Sequence, residues 1–374
     1  MLVKQFFMKN IINTQCVNNT KIIFAIPDLG SGGAERVVSI LANNLTEQGW
    51  MVEILMMFGH NNIYQINDRI EISELDLFSK AKIDRLWCLR EYLGRQKKAH
   101  KNLIVISFQI TCLEYLLLSR IGLGIRIVSS ERNNPYRNGA SIYHKIKNSL
   151  PYLLSNYCVF QTPAARDYYF LLRDTKCVVI PNPITVSSYM WEANLSPARL
   201  IMVCRLATQK NIFMALNVIK ILKSEFSNIH VDIYGEGPLH SRLLDQIEQM
   251  ELNENVSLKG LINNVHEIMA ESSVYLSTSD YEGISNSMLE AMSVGLPIIS
   301  TDCPIGGARM MLNNGAGILV PVGDESIFAN ELKELLVNDG KAKALSAKAL
   351  EVSKSYTPLH ITNRWRDVIL KILG

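Results

Sequence analysis

A chain of 374 residues, 48% apolar and 20% charged, has the composition of a globular protein and exceeds the length over which one core usually grows, which predicts two domains. Seven cysteines, odd in number and without CxxC or Cys/His spacing, argue against a disulfide frame or zinc site and for reduced thiols in a cytosolic protein. The net charge of +3 conceals an asymmetry: residues 1–185 carry +8 and the remainder −5, so a polyanionic ligand or surface is expected on the first half; no nucleic acid is expected among the partners.

Residues 1–20 lack the apolar run and small-residue cleavage site of a signal peptide and read as an extension before the first strand. "KIIFAIPDL" (21–29) predicts a buried strand, "GSGGAER" (30–36) a loop, and the periodic stretch that follows a helix ended by Gly49. Strands follow at 50–58, 102–109, 125–131 and 156–162, with helical stretches between them. The helix "KIDRLWCLREYLGRQKKAHK" (82–101) sets Leu86, Leu89 and Leu93 on an apolar face and Arg85, Arg90, Arg95, Lys97, Lys98 and Lys101 elsewhere. Such a run is ordinarily a solvated face; in a domain of +8 it predicts docking on an anionic membrane. "VVIPNPI" (178–184), stiffened by two prolines, predicts an interdomain connection. The strand–helix alternation restarts at 199–205 and continues through 229–235, 255–260, 273–279, 297–301 and 317–321 into a helical tail from Asp324. The fold class is therefore α/β: two doubly wound, Rossmann-like domains with parallel sheets and a ligand cleft at their strand carboxyl ends. No stretch reaches the ~20 apolar residues of a membrane span.

Three motifs fall where ligands bind in such sheets. "GSGGAER" fails the dinucleotide pattern, since Glu35 stands where its third glycine belongs, yet Gly32 and Gly33 permit close approach to an anion at a helix start. A ligand-free tight turn would leave the same sequence. "CRLATQKN" (204–211) places Arg205 at a strand end and Lys210 at a helix start, a fork and a point charge suited to a diphosphate. "DYEGISNSMLEAM" (280–292) sets Glu282 on a loop and Glu290 in the next helix, with Gly283, Ile284, Ser285 and Asn286 as an anion-receiving nest. Helix capping accounts for one of these carboxylates. One for each of two sugars, each accepting from a vicinal diol, accounts for both.

With these residues in place, the chain resembles glycosyltransferase family 4, the GT-B group of retaining enzymes that use nucleotide sugars. Glu282 and Glu290 match the family's E-x7-E motif, Arg205 and Lys210 its diphosphate-binding pair, and "DLGSGGAER" its first-loop glycine motif, with "YGEGP" (234–238) and "IPNPI" as further landmarks. The likeness runs from about residue 21 to the C-terminus, and "SSERNNP" (129–135) resembles the subgroup building bacterial surface polysaccharides on a polyprenyl-diphosphate carrier. Two positions depart from the pattern: Phe108-Gln109 where many members carry a histidine, and Gly306-Gly307-Ala308-Arg309 in place of Gly-Pro-x-Glu.

The resemblance implies domains at 21–184 (acceptor) and 185–355 (nucleotide sugar), with the 356–374 helix packing back toward the first. It implies transfer of a hexose or N-acetylhexosamine from a nucleotide sugar, leaning to a UDP-sugar, onto a polyprenyl-diphosphate-linked glycan at the cytoplasmic face of the plasma membrane. Glu282, Arg205 and Lys210 would be catalytic, with Gly32, Gly33, residues 283–286 and Glu290 binding donor. The basic helix, together with Arg132, would serve acceptor and membrane. No metal or other cofactor is expected, and no Asp-x-Asp occurs in the chain. A nucleotide-sugar 2-epimerase of the same fold and a silent sugar-nucleotide-binding protein are the alternatives. The sequence names neither the sugar nor the oligomeric state.

Overall fold

The computed structural model describes residues 19–30, 32–132, 134–139, 141–193 and 198–374. The chain divides into two compact units, Met1–Pro183 with Pro358–Gly374, and Ile184–Thr357. Of the expected extension at 1–20, residues 1–18 lie outside the described residues, while Thr20 is already buried in the first strand.

Unit 1 holds β1 (Thr20–Ile26), β2 (Met51–Met56), β3 (Glu71–Glu74), β4 (Asn102–Ser107), β5 (Arg126–Glu131), β6 (Tyr157–Phe160) and β7 (Cys177–Val179). Its helices are α1 (Gly33–Glu47), α2 (Lys82–Ala99), α3 (Ile110–Ser119), α4 (Ile142–Leu154) and α5 (Pro163–Tyr168). The strands run parallel in the order β3-β2-β1-β4-β5-β6-β7. The order reverses between β1 and β4, and it is outside that switch point, at the strand carboxyl ends, that doubly wound sheets bind ligands. Buried Ile22, Phe24 and Ile26 of β1 meet Val38, Leu41 and Leu45 of α1, apolar positions three and four apart that give the helix one inward face.

Unit 2 holds β8 (Arg199–Val203), β9 (His230–Tyr234), β10 (Val256–Gly260), β11 (Val274–Ser277), β12 (Ile298–Thr301) and β13 (Ile318–Val320). Its helices are α6 (Ile212–Leu222), α7 (His240–Gln249), α8 (Val265–Ala270), α9 (Asn286–Val294), α10 (Gly307–Leu312), α11 (Glu325–Val337) and α12 (Asp339–Ser353). Its parallel sheet runs β10-β9-β8-β11-β12-β13 and switches between β8 and β11. The last helix, α13 (Pro358–Leu373), belongs to unit 1: its fully buried Trp365 stacks on Phe108, ring centroids 5.5 Å apart, and it packs beside α1.

Two strands of unit 1 lie outside the segments read as strands. Glu71–Glu74 is a charged edge strand, exposed at both ends, and β7 is three residues long beside the proline segment. Charge on an edge strand discourages pairing with another chain and also erases the apolar pattern that marks a strand. No helix among the described residues is long and apolar enough to cross a membrane.

Candidate active site

In unit 2, β8 and β11 are the strands beside the switch point, and the loops that leave them are hydrogen-bonded to each other. The Asp280 amide donates to the Gln209 carbonyl at 3.0 Å, and Gln209 Nε2 donates to the Tyr281 carbonyl at 2.9 Å. Thr278 Oγ1 donates to the Lys210 and Asn211 carbonyls, each at 3.0 Å. Asn211 holds φ 41°, a left-handed conformation that asparagine tolerates, caps α6 through its side chain, and donates Nδ2 to Asp280 Oδ1 at 2.7 Å.

This lacing brings Lys210 Nζ onto Glu282 Oε2, with both side chains more than four-fifths buried, while Ser279 Oγ donates to the same carboxylate at 3.3 Å. Arg205 stands at the end of β8 with its side chain exposed, and that side chain makes no hydrogen bond or ion pair among the described residues. The unit thus holds one neutralised cation and one open cation on the same short loop. Burial pushes the neighbouring Cys204 thiol up to about 11, so it stays protonated and adds no charge.

Two glycines of "YGEGP" let a second backbone segment lie under this loop. A Cβ on Gly235, at φ 134°, would stand 1.9 Å from the Cys204 carbonyl oxygen, and one on Gly237 would stand 2.3 Å from that of Leu206. Gly307 does the same for the glutamate loop, where a Cβ would come within 1.8 Å of the Gly283 carbonyl oxygen. Just before it, buried Ile305 is held at φ 81°, a region β-branched residues avoid, so the turn into α10 carries backbone strain of the kind found beside binding sites.

Ser285 caps α9 by accepting the Met288 amide at 3.4 Å, and Asn286 opens that helix. Ile284 points into the core, so its side chain is turned away from a ligand. Glu290 lies one turn into α9 and is buried. An open pocket of about 600 Å³ lies at the carboxyl ends of β11, β12 and β13, lined by Asp280, Asp302, Pro304 and Pro321 among others. Arg309, at the position that departs from the family pattern, forks onto Asp302 at its rim, Nε lying 3.0 Å from each carboxylate oxygen.

In unit 1 the glycine loop is arranged differently from the expected phosphate cradle. The Gly30 amide donates to Asp28 Oδ1 at 2.9 Å, and Tyr64 donates its hydroxyl to the Gly32 carbonyl at 2.9 Å. A Cβ on Gly32 would lie 1.8 Å from Glu35 Oε2. The close approach that this glycine permits is therefore that of the chain's own carboxylate, folded back over the first turn of α1, where it accepts the Ala34 and Glu35 amides. Gln109, standing where many family members carry histidine, donates Nε2 to Glu35 Oε1 at 3.2 Å across the β1–β4 switch point. Burial raises the Glu35 pKa, and the charge of Asp28 adds to the rise.

The residues expected to meet acceptor and membrane separate into two groups. Arg132, just past β5, is an interior clamp: Nε donates to Ser130 Oγ at 2.7 Å and Nη1 to Asn182 Oδ1 at 2.9 Å. Its guanidinium lies 5.0 Å from the Phe108 ring centroid and 5.5 Å from that of Trp365, burial pulls its pKa down to about 9, and its Nη2 is buried without a partner. A group so enclosed cannot face a membrane. On α2, Arg85 donates to the Lys80 and Phe78 carbonyls, Arg90 to those of Ser119 and Ile121, and Lys97 to that of Lys101, while Arg95 lies 3.9 Å from Glu91. Three of the six, Arg85, Arg90 and Lys97, therefore tie the helix to neighbouring backbone. Lys98 is exposed.

Comparison with known proteins follows the same division. Residues 190–352, within unit 2 but for its ends, match the family model described as glycosyl transferases group 1. Over nearly the whole length the chain is 26% identical to the Campylobacter jejuni N-acetylgalactosamine-N,N'-diacetylbacillosaminyl-diphospho-undecaprenol 4-alpha-N-acetylgalactosaminyltransferase, covering 95% of this chain and 100% of that one. It is 24% identical to the amylovoran biosynthesis glycosyltransferase AmsD of Erwinia amylovora, with 91% and 96% covered. Among solved structures, a mutant of S. aureus TarM in complex with Fondaparinux, alpha-GlcNAc-glycerol and UDP superposes with a TM-score of 0.78 at 15% identity, covering 94% of this chain and 99% of that one.

Proposed function

We propose that this chain, whose residues 190–352 match the group 1 glycosyl transferase model, is a GT-B glycosyltransferase that moves a hexose or N-acetylhexosamine from a UDP-sugar to a polyprenyl-diphosphate-linked glycan in the assembly of a bacterial surface polysaccharide. The observation that carries this reading is the loop after β8, where exposed Arg205 stands near Lys210 and Lys210 is laced to Glu282. Relatives named for undecaprenol-linked acceptors, and a similar fold solved with UDP, support the choice of substrates.

In the proposed reaction the bond from the sugar C1 to the β-phosphate oxygen breaks, and UDP leaves with the electron pair. An acceptor hydroxyl oxygen bonds to C1 from the same face, giving retention, and its proton passes to a phosphate oxygen of the leaving group. Arg205, Lys210 and the 283–286 backbone amides balance the charge that develops on the diphosphate, which is ordinarily the largest catalytic contribution. Glu282 accepts from donor-sugar hydroxyls while holding Lys210 in place, and Glu290 accepts from the ribose. A cation pair on the diphosphate makes a metal unnecessary, so activity is expected to persist in EDTA. Enzyme of this kind would work at the cytoplasmic face of the plasma membrane, peripherally bound.

The reading is tested by incubating the protein with a panel of UDP-sugars, with and without a polyprenyl-diphosphate-linked glycan. Acceptor-dependent UDP release supports it. Isomerised donor would assign a 2-epimerase, and UDP-sugar binding without turnover across the panel would assign a silent binding protein.

A further inference from the structure

We propose that Glu35 and Gln109 of unit 1 bind the hydroxyls of a neutral sugar, the terminal residue of the acceptor, at the switch point between β1 and β4. That this sugar is the acceptor's rests on the function proposed above, in which Glu282 and Glu290 take the two sugars of the donor. The sugar site itself is read from unit 1 alone.

Glu35 stands in the first turn of α1, and Gln109 stands just ahead of α3. Their bond, Gln109 Nε2 to Glu35 Oε1 at 3.2 Å, spans the crevice in which doubly wound sheets bind ligands. A carboxamide also has a second N–H and a carbonyl oxygen, and on Gln109 neither bonds to a described residue. Gln109 is only half-buried, so a ligand can reach both. Glu35 accepts the Ala34 and Glu35 amides besides Gln109, which leaves about one of the roughly four acceptor positions of a carboxylate.

The surroundings decide between a phosphate and a polyol. An anion at a helix start needs the first amides of the helix, and here the chain's own carboxylate takes them. The titratable groups facing Glu35 are Asp28, a second carboxyl, and Cys112, a thiol that burial keeps protonated. No cation acts on Glu35, so a diphosphate would meet two carboxyl groups with nothing to balance its charge. A sugar carries no charge, and each hydroxyl both donates and accepts. Two neighbouring hydroxyls can therefore donate to the carboxylate and the carboxamide oxygen while accepting from the second N–H.

Stability does not account for the pair. Burial raises the Glu35 pKa, so the ionised carboxyl is unfavourable to the fold, and no basic partner offsets it. A side chain that breaks a local rule with no return inside the fold is characteristic of a binding position.

The test uses the full chain, the variants Glu35→Gln and Gln109→Leu, and two readouts. With UDP-sugar saturating, each variant should raise KM for the polyprenyl-diphosphate-linked glycan roughly tenfold, while KM for UDP-sugar and UDP affinity stay at wild-type values. Glu35→Gln preserves size and removes a buried charge, so its loss of acceptor affinity cannot be laid to unfolding. The second readout is saturation-transfer NMR with methyl glycosides of glucose, galactose and their 2-acetamido forms. Wild type should transfer saturation to at least one of them, and Gln109→Leu should abolish that transfer. Unchanged acceptor KM in both variants, a rise in UDP-sugar KM instead, or a wild type that binds no glycoside of the panel overturns the proposal. Transfer with acceptor KM unchanged leaves the functional reading standing. A protein that binds a methyl glycoside through Glu35 and Gln109 yet transfers nothing sustains the sugar site and overturns the functional reading alone.

Discussion

At the residue scale the site is a contest over cations. Lys210 already has a carboxylate partner in Glu282, whereas Arg205 has none among the described residues, so the two should respond differently to truncation. Arg205→Ala should lower turnover by about a hundredfold, the cost of losing one charge-assisted contact to a leaving group, and leave the melting temperature unchanged. Lys210→Ala should lower turnover as much and also destabilise the fold, because it strands a mostly buried carboxylate. Adding Glu282→Gln to Lys210→Ala should restore the melting temperature without restoring activity. Melting curves and saturating-donor turnover of these three variants and of Glu282→Gln alone would check this, and an additive double variant would contradict it.

Glu35 gives a second residue-scale prediction, with its sign fixed by the raised pKa. A carboxyl whose folded pKa lies above its unfolded value contributes stability that is present below the unfolded pKa and is lost as pH rises through the folded one. Glu35→Gln should therefore gain in melting temperature relative to wild type between pH 4 and 7. A difference that stays constant over that range would show that Glu35 does not titrate as its burial implies. The sequence displays Glu35 as a broken fingerprint position, but its partner Gln109 joins it only because β1 and β4 are neighbours, and periodicity does not carry that information.

At the element scale, most of both sheets was legible because buried parallel strands are continuous apolar runs between turn signals. The exceptions have different causes: β3 is the charged edge segment Glu71–Glu74, so the apolar run that marks a strand is absent there, and β7 is only three residues long beside the proline segment. The direction of an apolar stripe was equally out of reach. Leu89 and Leu93 of α2 face the core as their spacing implies, while Ile142, Ile146, Leu150 and Leu154, the apolar stripe of α4, face out; spacing alone does not say which way a stripe turns. Packing around the glutamate loop is an element-scale matter too. Gly307→Ala should push Gly283 away, because even a methyl group would overlap the Gly283 carbonyl at 1.8 Å. UDP affinity, read by calorimetry, should fall roughly tenfold, the scale of a 1.4 kcal/mol loss, with the rest of unit 2 folded. Unchanged affinity would remove this loop from the donor site.

At the scale of the whole molecule, each unit repeats one topology and places its polar cluster at the switch between the strand that starts the sheet and the strand that crosses back. Unit 1 puts Glu35 and Gln109 there, and unit 2 puts Lys210 and Glu282 there. Each cluster joins two loops far apart in sequence, 72 positions for Lys210 and Glu282 and 74 for Glu35 and Gln109. The pair in unit 2 was legible because both residues fit a family motif, whereas Gln109 departs from one. In the proposed reaction the Arg205–Lys210 loop stabilises a departing nucleoside diphosphate while a sugar passes to a lipid-linked acceptor. Mass spectrometry of a polyprenyl-diphosphate-linked glycan incubated with wild type and a UDP-sugar panel tests it most directly. The account predicts that the glycan gains one hexose or N-acetylhexosamine with stoichiometric UDP release, in EDTA, and that Arg205→Ala suppresses both. A glycan of unchanged mass alongside isomerised donor, or transfer undiminished in Arg205→Ala, would contradict it.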